Sequence, residues 1–381
     1  MKKMILLFVS GFMLFMMSCG SNTAITEHMV VGYVAGFRNY DFSRIDATKL
    51  THINYAFANI IDGRVAFGSD MIDNTDRDIE DIKTLLSLKE VNPDLKILVS
   101  VGGWGWSGNF SDAALTDSSR NCFAASAAQF ILDHGLDGID LDWEYPNQPG
   151  AGNIYRPEDV HNFTLLLESV RRHIDSLALS LGRTEPFLLT IATGGDSVYV
   201  ANTELGKLAK YLDFINIMSY DYHNGLTSQT GHHSNLRLSA SDYPYGDATV
   251  RSVRMHIDAG VSPAMLNIGV PFYGRRWKGV EPANSGLYRE AATTGESIPF
   301  SDVLAALADT GFVRLWDTAA VAPFLWNERD SVFISYDDVE SLKAKMNYVR
   351  SMGLGGVMFW EYTEDIDGML LDALLEGLKA K

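Results

Sequence analysis

From Val30 onward the chain alternates short runs rich in β-branched and aromatic residues with longer stretches whose apolar positions recur at helical spacing. The apolar runs are Val30 to Gly36, Thr51 to Ile60, Leu95 to Gly102, Gly138 to Glu144, Phe187 to Thr193, Phe214 to Tyr220, Leu266 to Phe272 and Gly356 to Glu361. Helical patterns fall between most of them, over Arg77 to Val91, Ser118 to His134, Pro157 to Leu181, Leu205 to Leu212, Ala248 to Ala259 and Asp337 to Met352. Strands that each lead into a helix are βα units, and eight of them predict an α/β chain folded as a (β/α)8 TIM barrel. The gap from Gly274 to Ser335 is far longer than the others and rich in Gly, Pro and aromatics, with one helical piece around Ser301 to Asp309. It predicts a small α+β insertion at about 275–335, between strands seven and eight, forming one wall of a cleft.

The fourth run breaks the apolar rule. Residues 137–146 read Asp-Gly-Ile-Asp-Leu-Asp-Trp-Glu-Tyr-Pro. Side chains alternate along a strand, so Asp140, Asp142 and Glu144 share one face, each ~6.5 to 7 Å from the next. Ile139, Leu141 and Trp143 take the other. Neighbouring carboxylates repel and resist burial, so stability alone would not select this face. They approach the C-terminal end of their strand, where barrel enzymes carry their chemistry, just before Tyr145-Pro146 stops it.

Composition narrows the partners. With 46% apolar and 21% charged residues, the 381-residue chain reads as globular, either one large domain or two ordinary ones. Met1 to Cys19 holds Lys2 and Lys3, an apolar run from Met4 to Met17, and Ser18-Cys19. A membrane-spanning helix would need ~20 apolar residues. A shorter run ending in a small residue before Cys resembles a bacterial lipoprotein processing site, which makes residues 1–18 a signal peptide. Cys19 is then the lipidated residue, 19–28 a polar tether and 29–381 the catalytic barrel, exported and anchored to the cell envelope. Without residues 1–18 the balance is 29 basic against 48 acidic, a net of −19. Such a charge argues against nucleic acid and anionic surfaces and is compatible with a neutral polysaccharide. Cys122, the only other cysteine, allows no disulfide framework and is expected in the core.

The acidic run resembles the Asp-x-x-Asp-x-Asp-x-Glu motif of glycoside hydrolase family 18, the chitinases and their relatives. Ser100-Val101-Gly102-Gly103, Met218-Ser219-Tyr220-Asp221, Gly269 to Arg275 and Gly355 to Trp360 are similar to further boxes of the family, in the same order. The resemblance implies a retaining chitinase without cofactor or metal. The substrate's own acetamido oxygen would serve as nucleophile, in place of the second carboxylate of the usual scheme. By position, Glu144 would be general acid and then base, and Asp142 would bond the acetamido N–H. Asp140 would share a proton with Asp142 and tune the cluster, Asp137 being structural. Tyr220 would hold the acetamido carbonyl, and Asp221 would touch the sugar and couple to Glu144. Trp360 would form the floor under the sugar being cleaved, with Tyr33, Phe57, Trp104, Tyr145, Met218, Tyr273 and Arg275 at other cleft positions, and Trp106 in the loop beside them. Small residues at Ser100, Gly102 and Gly103 would make room for the carboxylates. A monomer acting on chitin, chitooligosaccharides or another N-acetylglucosamine-containing glycan is expected.

Two departures are present, neither in the catalytic set, and the first bears on the outer minus-side subsites. The strand-one segment Gly32 to Phe37 lacks the tryptophan often found just after it, and Thr190 to Gly195 is only loosely similar. The motif alone does not separate a chitinase from an endo-β-N-acetylglucosaminidase acting on N-glycans, while a non-catalytic chitin-binding lectin would have lost the acid. His223, His232 and His233 match no standard zinc spacing.

Overall fold

A computed structural model describes residues 28–68, 75–239 and 246–380. Residues 1–18, Cys19 and nearly all of the tether lie outside the described residues. Strands β1 (Met29–Ala35), β2 (His52–Ile61), a short hairpin partner β3 (Arg64–Ala66), β4 (Lys96–Gly102), β5 (Gly138–Asp142), β6 (Leu188–Gly194), β7 (Phe214–Met218) and β8 (Leu266–Pro271) come first. An inserted sheet follows, made of β9 (Tyr273–Lys278), β10 (Glu296–Pro299), β11 (Val313–Asp317), β12 (Ala322–Asn327) and β13 (Val332–Ser335), before β14 (Gly356–Trp360). Parallel pairing runs β1-β14-β8-β7-β6-β5-β4-β2, and β1 also pairs with β2, so the eight-stranded sheet closes on itself.

Alternation along these strands builds two cores. Outward residues such as Ile97, Val99, Ile139, Leu141, Ile215, Ile217 and Val357 join the main cluster under the helices. Inward residues Val31, Tyr33, Ala56, Phe214 and Met358 fill the barrel. Helix boundaries follow local signals. The helix Asp117–His134 starts with a capping box between Thr116 and Ser119 and ends at Gly135, which takes φ 67°. Asp338 and Ser341 form the same device ahead of the helix Val339–Met352.

The insertion is an antiparallel sheet in the order β10-β9-β13-β12-β11 with a helix at Phe300–Ala308, closed on Trp277, Leu287, Phe324, Trp326 and Phe333. Barrel strand β8 runs into β9 with one residue between them, so the insertion is tied rigidly to the barrel mouth. Three expectations shift. The acidic strand ends at Asp142 and the sixth run at Met218, placing Glu144, Tyr220 and Asp221 on irregular backbone at the mouth. Cys122 is half-buried on its helix, not in the core. A final helix, Met369–Lys379, covers the barrel with Leu370, Leu371, Leu374 and Leu378.

Candidate active site

The mouth of the barrel holds a cleft of about 990 Å³. Asp142, Glu144, Tyr220 and Asp221 line it, together with Tyr33, Phe57, Trp104, Trp106, Tyr145, Met218, Tyr273, Arg275 and Trp360. Of the sequence-derived set within the described residues, only Asp140 lies off the wall, beneath it and fully buried.

Glycine makes the acidic strand's placement possible. Gly102 closes β4 at φ 103°, and a Cβ there would stand 2.5 Å from both the Asp142 carbonyl oxygen and the Phe110 ring. Behind the strand Trp143 stacks on Phe110, with centroids 5.2 Å apart, and meets Phe163 edge-on. The Glu144 N–H donates to Ser107 Oγ at 2.8 Å, so the chain is pinned as it leaves the strand.

The carboxylates differ in their surroundings. Asp140 accepts three hydroxyl bonds, from Tyr33 and Ser100 to Oδ2, each at 2.7 Å, and from Thr190 to Oδ1 at 2.6 Å. Both of its oxygens thus accept from hydroxyls. Asp142 Oδ1 has no hydrogen-bond partner. Burial, then the charges of Glu144 and Asp140, push the Asp142 carboxyl well up. Burial also raises Glu144 to about 7; the Tyr145 hydroxyl opposes this and the Asp221 charge adds to it. Asp221 goes the other way. Burial would raise it, but His233 and Arg275 hold it well below the carboxylate range. The result is a proton-holding pair, Asp142 and Glu144, beside a fixed anion.

Aromatic rings form the cleft's apolar floor. Trp360 stacks with Phe57 at 5.5 Å and 17°, and Tyr33 leans on it at 5.7 Å. Trp104 is 46% exposed, with Tyr145 edge-on at 6.5 Å, so its face is open to a ligand. The Tyr220 hydroxyl meets the Met358 sulfur at 4.0 Å.

The model of Glycosyl hydrolases family 18 matches residues 29–365, which spans this whole site. The chain belongs to glycosyl hydrolases family 18. Chitinase A1 of Niallia circulans is 38% identical over 415 residues, covering 93% of this chain. The chain spans 59% of that protein's length. Endochitinase 1 of Metarhizium robertsii is 31% identical over 87% of this chain and 79% of its own. Among solved structures, a family 18 N-acetylglucosaminidase from Paenibacillus barengoltzii superposes with a TM-score of 0.83 at 40% identity, over 92% of this chain and 99% of that one. The chain is a family 18 glycosyl hydrolase, similar over most of its length to chitinases.

Within this family 18 site, Tyr33 and Arg275 line the cleft as expected and also bond protein groups. Arg275 donates from Nε and Nη2 to the two Asp221 oxygens and from Nη1 to the Gly295 carbonyl. Two of its N–H donors hold Asp221 and a third holds Gly295, while the side chain still lines the cleft. The Tyr33 hydroxyl is committed to Asp140, leaving only its ring on the wall. Sequence reasoning missed Ser107, Thr190 and His233. The three loop histidines do not converge, since His232 Nε2 lies 3.2 Å from Asp317 while His233 faces Asp221. Among the described residues, no group of three or more His, Cys, Asp and Glu side chains is placed to hold a metal.

Proposed function

We propose that this protein is a retaining hydrolase that cleaves β-1,4 links between N-acetylglucosamine units of chitin or chitooligosaccharides, the substrate's acetamide serving as nucleophile. The observation that carries the reading is the division of labour among the carboxylates. Glu144 is buried and held near neutrality, Asp142 keeps a free oxygen beside it, and Asp221 is bound on both oxygens by Arg275. The open oxygen of Asp142 is an acceptor for the acetamido N–H, which would aim the acetamide's carbonyl oxygen at C1.

In the proposed sequence Glu144 gives its proton to the glycosidic oxygen as the C1–O bond breaks and the leaving sugar departs as an alcohol. The acetamido carbonyl oxygen forms the new bond to C1, giving an oxazolinium, while Asp142 accepts from the acetamido N–H. Tyr220 donates to the acetamido carbonyl oxygen and limits its movement. Water then attacks C1, the C1–O bond of the oxazolinium breaks to restore the acetamide, and a proton of the water returns to Glu144, so the anomeric configuration is retained. Trp360 and its neighbours offer apolar faces to pyranose rings.

Time-resolved product analysis on a chitooligosaccharide series, with resolved anomers, tests this. Early β-anomer products support it, and early α-anomer products overturn the mechanism. Glycan release from a glycoprotein without cleavage of chitooligosaccharides would favour an endo-β-N-acetylglucosaminidase. The likeness to the N-acetylglucosaminidase favours single-unit removal, visible in the same series as monomer from the first time point.

We also propose export and lipid attachment at Cys19, a reading supported by Lys2, Lys3, the apolar run and Ser18-Cys19. Labelled fatty acid incorporated into the native chain but not into Cys19→Ser supports it; equal labelling overturns it.

A further inference from the structure

His233 is fully buried, and neither of its ring nitrogens lies at ordinary hydrogen-bond distance from a partner. Its Nδ1 lies 3.6 Å from Asp221 Oδ1, on the carboxylate that Arg275 already holds. The Tyr273 ring packs on it at 5.4 Å. A buried polar group left unpaired costs stability, so its aim at Asp221 asks for a reason.

The backbone around it is fixed by a solvent-free bracket. The Tyr222 N–H donates to the His233 carbonyl at 3.2 Å, and the His233 N–H donates to Ser335 Oγ at 2.9 Å, at the end of β13. The next residue, Ser234, donates to Asp337 Oδ2 at 2.8 Å. Lys345 Nζ meets the same oxygen at 2.5 Å and Ser234 Oγ at 2.6 Å, while Ser341 takes Asp337 Oδ1 at 2.6 Å. Lys345 and Asp337 are almost entirely shielded from solvent, and the reaction uses neither.

We propose that His233 is a positioning residue for Asp221, and that the Ser234–Asp337–Lys345 bracket sets its place, linking the inserted sheet's exit to the field at Glu144. The inference rests on Glu144 being the acid. The charged and titratable groups acting on His233 are Asp221 on its own loop, Arg275 on β9 and Asp337 beyond β13, with Tyr273 against its ring. Burial, and then Arg275, hold the imidazole toward its neutral form against the two carboxylates. A neutral ring can give Asp221 an N–H without cancelling the negative charge that adds to the effect of burial on Glu144.

The test is the pH profile of kcat on a chitooligosaccharide. In His233→Leu the alkaline limb moves down by at least about 0.5 unit, because Asp221 is less firmly held beside Glu144. The value of kcat falls roughly tenfold, the scale of one hydrogen bond to a charged group, with KM within about twofold. His233→Gln, which keeps an N–H donor, restores most of the limb. The double variant Asp337→Leu/Lys345→Met removes both buried charges together and moves the limb in the same direction. A folded His233→Leu with the native limb overturns the role of His233, and a folded double variant with the native limb overturns that of the bracket. Should His233→Leu not fold, Ser234→Ala carries the test: a downward shift supports the proposal and an unmoved limb overturns it. Full activity in Glu144→Gln would instead bring down the acid reading beneath it.

Discussion

Arg275 grips Asp221 with two hydrogen bonds, Nε to Oδ1 at 2.8 Å and Nη2 to Oδ2 at 2.6 Å, both made at the rim of the cleft. The planar fork matches the carboxylate, and a lysine cannot reproduce it. Arg275→Lys is therefore expected to lower kcat/KM by more than ~10-fold, since a hydrogen bond to a charged group is worth about 1.5 to 3 kcal/mol. Steady-state kinetics on a defined chitooligosaccharide check this; loss confined to KM would return Arg275 to a sugar-binding role.

Glu144 must hold a proton to act as an acid. Burial places its pKa at about 7, so kcat should fall as pH rises through that region. Glu144→Gln, which has no proton to give, should lose at least ~100-fold below pH 7. A native rate that stays flat to pH 9 would contradict this assignment.

The same shift appears in stability. The Glu144 pKa is raised from the ordinary 4.5 to about 7 in the folded chain, so the folded state binds the proton more tightly than the unfolded one. Its contribution is full below about 4.5 and is lost as pH rises through about 7. Glu144→Gln should match the native protein near pH 4 and exceed it near pH 8, by on the order of 3 kcal/mol, as 1.36 kcal/mol per unit implies. Thermal unfolding at the two pH values checks the sign; a variant less stable than the native chain at pH 8 contradicts it.

What the sequence made legible was whatever period and spacing encode. Alternation placed Asp140, Asp142 and Glu144 on one face because a strand has a period of two, and the βα repeat predicted the closed barrel. The C-terminal helix Met369–Lys379 lies beyond the eighth strand and outside the βα repeat, although its leucines recur at helical spacing. The role of Arg275 was hidden for a deeper reason. Its partner, Asp221, is 54 residues away, and only the docking of β9 on the barrel mouth brings the two together. His233 gave no signal because a buried imidazole and a loop histidine read alike in sequence. Thr190 sat in the segment least similar to the family text, yet it supplies one of the three hydroxyls on Asp140.

That hydroxyl yields the last expectation. Asp140 is fully buried, and burial raises its pKa while Thr190, Tyr33 and Ser100 pull it back. Thr190 Oγ1 is the hydroxyl bonded to Oδ1, at 2.6 Å, so Thr190→Val keeps the shape of the side chain and deprives that oxygen of its donor. An unpaired buried acceptor costs about 1 to 3 kcal/mol. Losing a donor that favoured the charged form raises the Asp140 pKa further, so the variant takes up a proton over a range where the native carboxyl is ionised. Protonation relieves the penalty, and the destabilisation should therefore be larger at pH 8 than at pH 5. Unfolding of both proteins followed by circular dichroism at the two pH values measures it. An equal loss at both would mean that Thr190 serves only packing and that the charge on Asp140 does not depend on it.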